Sequence, residues 1–297
     1  MTVRPWHSWH LHAGTLDSGA LDRLLIDVVA PVVEAYDIRG WFFIRYWHRG
    51  PHLRLRIADL DPPTADAIEA DLIAAGSALD DGGPALDQRA YQRASAAIAA
   101  AGEASGPVDV GTVRPAGVYR ETYVPEFDRY GGAALIDDSE RLFHASSLVA
   151  LDCVRRGADP NAAGLTALAV TCGVLPWPPD GFLDTIRVLW TRWLARGGAD
   201  VEAIDRATST AAAALGPSSA VLSEALGGQH PPLWNPWTAE LSRAVDAWRA
   251  ALDPPTTRAV AGSHVHMMLN RLGVAAGSDA YLAGILLAVA RHAPANA

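Results

Sequence analysis

Cysteine is scarce in this sequence. Only Cys153 and Cys172 occur in 297 residues. Both fall within apolar helical patterns, so they read as ordinary core thiols and not as a disulfide framework or a metal site. That usage points to an intracellular chain. No basic segment followed by an apolar one opens the sequence, and no apolar run approaches the roughly 18 residues that a membrane-spanning helix requires. Neither a secretory signal nor an anchor is therefore expected, and the expected location is cytoplasmic. Positive charge is also in deficit, with 24 Lys and Arg against 33 Asp and Glu and a formal net charge of -9. The long-range field repels a polyanion such as tRNA or DNA, so direct nucleic-acid binding is not expected, although a local basic pocket remains open. No internal repeat is visible, and no linker is long enough to separate independent domains, which leads to the expectation of one domain over residues 1–297. Half of the residues are apolar, ample for a buried core.

What is present begins with a segment of alternating aromatic and polar residues from Trp6 to His12. Apolar residues then recur at Leu21, Leu24, Leu25, Val28, Val32 and Val33, a helical spacing. The stretch Trp41-Phe42-Phe43-Ile44-Arg45-Tyr46-Trp47 is aromatic and β-branched, and His48-Arg49-Gly50-Pro51 supplies a turn, so a second strand from His52 to Ile57 should pair back on it. Pro62 and Pro63 start a helical pattern that ends near Gly76. Residues 94–104 form a low-complexity tract expected to be a surface helix. Residues 108–123 hold few helix formers and predict one or two strands. From Asp137 onward the pattern is helical, with breaks at Gly157, Pro176 to Pro179, Gly197-Gly198, Gly227 to Pro236 and Asp253 to Pro255. The fold class is thus α+β: a strand-rich N-terminal part, about residues 1–130, packed with a largely helical C-terminal part.

Three segments carry chemistry. In His52-Leu53-Arg54-Leu55-Arg56-Ile57 the alternation matches the two-residue period of a strand, placing His52, Arg54 and Arg56 on one face and the aliphatic residues on the other. A solvated edge strand gives the same pattern, but two adjacent guanidiniums repel unless an anion lies between them, and Arg suits bidentate capture of a carboxylate. The second segment is Tyr123-Val124-Pro125-Glu126-Phe127-Asp128-Arg129-Tyr130-Gly131-Gly132. Glu126 and Arg129 stand three apart, so one helical turn pairs them, as a structural ion pair or as a component of a site. The third is Ser263-His264-Val265-His266-Met267-Met268-Leu269-Asn270-Arg271-Leu272. Its alternating histidines have no accompanying spaced set of Cys, His or carboxylates, which leaves a metal site unsupported. On a helix His266 and Asn270 share a face, making His266 a candidate acid or base and Asn270 a candidate for orienting it; a hydrogen-bonded core histidine is the alternative.

In this order and spacing, and with Phe42-Phe43-Ile44-Arg45-Tyr46 before the first segment and Leu142-Phe143-His144-Ala145-Ser146-Ser147 after the second, the chain resembles the thiopeptide-type bacteriocin biosynthesis family. Members include the glutamate-elimination domains of lantibiotic dehydratases and their stand-alone forms. The matched segments run from residue 42 to 272, and nothing here resembles the larger glutamylation domain of those dehydratases. The resemblance implies a lyase that removes glutamate from glutamylated Ser or Thr of a ribosomal precursor peptide, leaving dehydroalanine or dehydrobutyrine. It implies a partner enzyme that installs the glutamate from glutamyl-tRNA, and it implies roles for Arg54, Arg56, Arg129 and His266, with Glu126 a weaker carry-over. His52, Ser263, Asn270 and Arg271 are expected to bind the substrate. β-Elimination needs a base, stabilisation of an enolate and of a departing carboxylate, and recognition of the glutamyl group, for which arginines and one histidine suffice; no cofactor and no metal are expected.

Two alternatives stay open. The sister branch of the resembled family consists of pyridine synthases, which join two dehydroalanines in a formal [4+2] cycloaddition and expel the leader peptide. In that branch a tyrosine stands six positions after the serine of the third motif, where this chain follows Ser263 with Leu269, a departure that favours elimination. A leader-binding scaffold without catalysis would use Trp6, Trp9, Trp41 and Trp47 as a peptide groove, but would leave the arginine strand and His266 idle.

Overall fold

The computed structural model describes residues 4–17, 19–78, 86–102, 106–216 and 218–292. The chain separates into two compact units, one formed by Met1–Ala99 with Pro107–Pro125 and the other by Ala100–Gly106 with Glu126–Ala297.

The first unit is built on four antiparallel strands, β1 (Trp6–His12), β2 (Trp41–Tyr46), β3 (His52–Ala58) and β4 (Gly117–Glu121), in the order β2-β3-β1-β4. The expected return of the second strand upon the first is present: β3 pairs with β2 in a register that sets Phe43 against Leu55 and Ile44 against Arg54. β1 fills the other edge of β3, with Trp9 against Leu55 and His10 against Arg54. Between residues 108 and 123 only one strand forms, β4, which pairs with β1.

One face of this sheet is apolar. Trp9, Phe43, Leu53, Leu55 and Ile57 are each fully shielded from water at 0% exposure, and each such aliphatic side chain contributes roughly 1.5–3 kcal/mol by its removal from solvent. Helices α1 (Ala20–Arg23), α2 (Ala30–Ala35) and α3 (Pro62–Ala78) belong to the same unit. The single helix expected near Leu21 to Val33 is interrupted by a π-helical turn over Leu24–Val29. It lies just ahead of Pro31, which has no N–H to give and crowds the preceding turn. Trp9 anchors β1 to α3 by donating from Nε1 to Glu69 at 2.9 Å. The low-complexity tract falls largely in α4 (Gln88–Ala101), while residues 103–105 lie outside the described residues.

The second unit holds α5 (Ile136–Arg155), α6 (Pro160–Val174), α7 (Pro179–Arg196), α8 (Val201–Ala214), α9 (Ser218–Leu226), α10 (Asn235–Ala251), α11 (Pro254–Arg271) and α12 (Ser278–His292). Most breaks fall where expected. Asp159, Asp200 and Asp253 cap α6, α8 and α11, accepting from Ala162, Ala203 and Thr256 at 2.9, 3.0 and 2.8 Å, and Pro160 and Pro254 occupy first-turn positions that have no N–H partner to lose. The break between α8 and α9 is not among those expected. Both cysteines are buried and free, and desolvation pushes the Cys172 thiol up to about 12, as a core thiol requires. Among the described residues no helix is long and apolar enough to cross a membrane.

Because Leu53 points into the apolar face, Leu53→Asp should destabilise the protein by roughly 4 kcal/mol or more through an unpaired buried carboxylate. Arg54→Ala, on the other face, should leave the circular dichroism spectrum and the unfolding transition close to wild type. Urea unfolding of the two variants checks this, and a cooperative, near-native Leu53→Asp transition would contradict the facing assigned to β3.

Candidate functional site

The polar face of the sheet follows from the same alternation. Its register brings Arg56 between Phe42 and Ser8, Arg54 between Ile44 and His10, and His52 between Tyr46 and His12. On the far side of β1, Tyr119 stands opposite His10 and Glu121 opposite Ser8. The expected trio of His52, Arg54 and Arg56 therefore shares one face. His10, His12 and Tyr119 join it from elements that were not linked to it in the sequence. A usable signal existed: Ser8, His10 and His12 alternate with Trp9 and Leu11 just as His52, Arg54 and Arg56 alternate with Leu53 and Leu55.

The guanidiniums rest on aromatic rings. Arg54 lies 3.4 Å over the Tyr46 ring centroid, Arg56 lies 4.8 Å over that of Tyr123, and Arg114 lies 4.9 Å over that of Tyr119. Such stacking holds the planar cation in place while leaving its edge for hydrogen bonding. Arg114 also pairs with Glu121 at 2.6 Å. The chain contains no lysine, so all 24 of its basic side chains are guanidiniums whose charge is constant with pH.

The imidazoles between them are neutral. Desolvation, aided by neighbouring arginines, lowers His10 to about 3 and His12 to about 4. For His52 desolvation and then the other histidines bring it to about 2. The ring of His52 stacks on those of His12 and His10 at 4.3 and 4.9 Å. Its Nδ1 donates to the Gly50 carbonyl at 2.9 Å, which turns the Nε2 lone pair toward Arg54 Nε, 3.2 Å away. The ring nitrogens of His10, His12 and His52 lie within 4.8 Å of one another, a set that could hold a metal ion. A cation there would meet the positive charge of Arg54 and Arg114 and would have to displace the Arg54 donor from His52. The field suits an anion. Ser8 Oγ and His12 Nδ1 are buried without a hydrogen-bond partner among the described residues, and unsatisfied buried atoms of this kind cost free energy that a polar ligand can recover.

In the second unit, Glu126 and Arg129 pair at 3.1 Å across the 3-10 turn Phe127–Tyr130. Glu126 is 59% exposed, and a pair in that setting contributes about 0–1 kcal/mol to stability. Gly131 ends the turn in the left-handed region at φ 85°, where a glycine is at ease.

The two histidines of α11 have different surroundings. His264 is 2% exposed. Its ring stacks on Trp248 at 5.1 Å and lies against Tyr130 and Phe143 at 4.9 and 5.2 Å, with Nε2 at 3.2 Å from Ser139 Oγ. Burial, then Arg271 and Arg129, hold its imidazole well below the usual range. The core-histidine alternative thus describes His264. His266 keeps 21% of its side chain exposed, stacks on Trp190 of α7 at 4.3 Å, and places Nδ1 at 3.0 Å from Asp279 Oδ1. Asn270 was expected to orient the ring; the carboxylate that meets it is Asp279, from the next helix, thirteen positions on. Ser263 and Asn270 are half-buried on α11. Arg271 is 1% exposed, with Nε donating to Ser147 and Nη1 to the Met267 carbonyl at 3.2 and 3.0 Å, which gives it a place in holding α11 to α5.

The sheet of the first unit thus carries a cationic polar face, and the helical second unit carries a partly exposed histidine held by a carboxylate. Residues 6–290 match the family described as lantibiotic biosynthesis dehydratase, C-terminal, and the chain belongs to that family, whose enzymes act on ribosomal precursor peptides. Among solved structures it is similar to TbtD, the pyridine synthase from thiomuracin biosynthesis, with a TM-score of 0.74, 19% identity, and coverage of 96% of this chain and 97% of that one. It is also similar to TsrL, with a TM-score of 0.63 and 18% identity over 97% of this chain and 95% of that one. The tRNA-dependent lantibiotic dehydratase MibB from Microbispora sp. 107891 is matched with a TM-score of 0.60 and 18% identity over 96% of this chain but 28% of that one. At these identities the likeness is one of fold. No curated protein matches the chain.

The neutral imidazoles carry a pH signature. An unfolded chain takes protons on His10, His12 and His52 near 6.5, while the folded chain keeps them off until about 3, 4 and 2. Stability is therefore complete above 6.5 and declines as the pH falls below it. The urea midpoint should be level above pH 7 and drop between about 6.5 and 5, before ordinary carboxylates titrate, and His12→Gln should flatten the slope. A midpoint that does not change across that interval would show these rings to be protonated in the native state.

Proposed function

We propose that the protein eliminates glutamate from glutamylated Ser or Thr residues of a precursor peptide, leaving dehydroalanine or dehydrobutyrine. A single observation carries this reading: Arg54 and Arg56 share a face with three uncharged imidazoles, which makes the cluster selective for an anionic group. A glutamylated residue bears a carboxylate and releases another. The two dehydroalanines that a pyridine synthase joins bear none.

In this reading His266 takes the Cα proton, the Cα=Cβ double bond forms as the Cβ–O bond breaks, and glutamate departs as its carboxylate. Arg54 and Arg56 hold the glutamyl group and offset the developing negative charge. Arg129, with Glu126 pairing to fix it, adds to that stabilisation, and His52 holds Arg54. Ser263 and Asn270 on α11 contact the peptide. A separate enzyme charges the precursor from glutamyl-tRNA, and this chain needs neither nucleic acid nor membrane. Leu269, 1% exposed, has no hydroxyl to offer where the pyridine-synthase branch has tyrosine. One observation favours cycloaddition: the chain and the pyridine synthase TbtD match over almost their full lengths.

Mass spectrometry of a glutamylated precursor peptide incubated with this protein alone separates the two. The expected result is loss of the glutamyl mass, with free glutamate released and no added nucleotide or flavin. Persistence of that peptide, together with conversion of a dehydroalanine-bearing peptide to a trisubstituted pyridine, would reverse the reading. Arg54→Ala, Arg56→Ala and His266→Phe should each reduce elimination by roughly 100-fold or more, while His264→Phe should chiefly lower the melting temperature, since Ser139 loses its partner in the core.

A further inference from the structure

We infer that Asp279 is the positioning residue for His266, fixing which ring nitrogen is free to take a proton. This rests on the proposed role of His266 as base. Asp279 stands in the first turn of α12 and is 2% exposed, and its Oδ1 lies 3.0 Å from His266 Nδ1. A carboxylate oxygen only accepts, so Nδ1 carries the ring proton and the lone pair is on Nε2. Among the described residues Nε2 meets no hydrogen-bond partner.

Three helices hold the ring. His266 comes from α11 and Asp279 from α12, while Trp190 of α7 stacks on it at 4.3 Å with an interplanar angle of 29°. Trp190 is braced edge-on by Trp193 at 5.4 Å. The stack blocks one ring face, and the carboxylate blocks rotation about the bond to the ring. What remains is a single presentation, with Nε2 on the ring position opposite the carboxylate. A carboxylate buried to this degree is costly unless it is paired and hydrogen-bonded, and the first-turn position on α12 adds the favourable end of the helix dipole. The same arrangement of carboxylate, imidazole and free nitrogen orients the base in the serine-hydrolase triads, where removing the carboxylate leaves the geometry but selects the wrong tautomer.

A simple structural tie between α11 and α12 would use the same contact, so the test must read something that packing alone does not change. Full-length protein labelled with 15N-histidine reports the tautomer directly by long-range 1H–15N correlation. The wild type should show a protonated Nδ1 and a bare Nε2 at His266, assigned by its loss in His266→Phe. Asp279→Asn should shift the ring toward the Nε2–H form. With a precursor peptide carrying O-glutamyl serine, Asp279→Asn should lower kcat by roughly 100-fold or more at little change in KM, and Asp279→Glu should restore some of it. An Nε2-protonated wild-type ring overturns the proposal, as does an Asp279→Asn variant that loses melting temperature but keeps its kcat. If His266→Phe is inactive while Asp279→Asn is fully active, the positioning role falls and the base reading stands. If both variants eliminate at the wild-type rate, the base reading itself falls and the proposal with it.

Discussion

β3 is hydrogen-bonded along both edges, to β2 on one side and to β1 on the other, and its register on both sides determines where every polar group of the sheet stands. A slip of one residue would carry Leu53, Leu55 and Ile57 out of the apolar face and drive Arg54 and Arg56 into it. The lost aliphatic burial and the buried guanidiniums make that slip prohibitive. With the register held, His10 must oppose Arg54, His12 must oppose His52 and Phe42 must oppose Arg56. The cationic, imidazole-lined face is thus a consequence of apolar packing on the opposite side.

The histidines show how one residue type acquires different properties from its surroundings. His10, His12 and His52 lose their charge to desolvation beside fixed cations. His264 loses it inside an aromatic enclosure of Tyr130, Phe143 and Trp248. His266 alone of these pairs with a carboxylate while keeping some of its ring open. A face that combines constant guanidinium charge with uncharged imidazoles keeps the same charge across physiological pH.

Family membership and fold together place the chain among enzymes of ribosomal-peptide modification, and the charge on the substrate is what separates the two chemistries that the fold accommodates. Elimination moves an anion out of the site; cycloaddition of dehydroalanines handles neutral groups. The polar face of the sheet bears on that choice in a way that fold similarity does not, because relatives with the same strands and helices can carry different side chains on them.

Much of this was legible in the chain itself. The two-residue alternation of residues 52–57 named the strand and its faces, and Gly157, Gly197-Gly198 and Asp253 to Pro255 marked the boundaries between helices. The order of the three motifs pointed to the family. These signals are local, since period and capping depend on residues within a turn or two. Missed were the π-helical turn at Leu24–Val29 and the break between α8 and α9. Also missed were the residues that complete each cluster: His10 and His12, some forty positions before His52, and Asp279, thirteen after His266. The sequence determined which side chains face the same way along one element. Only the tertiary structure decided which elements meet, because strand pairing and helix packing bring together groups whose spacing along the chain has no fixed relation to their distance in space.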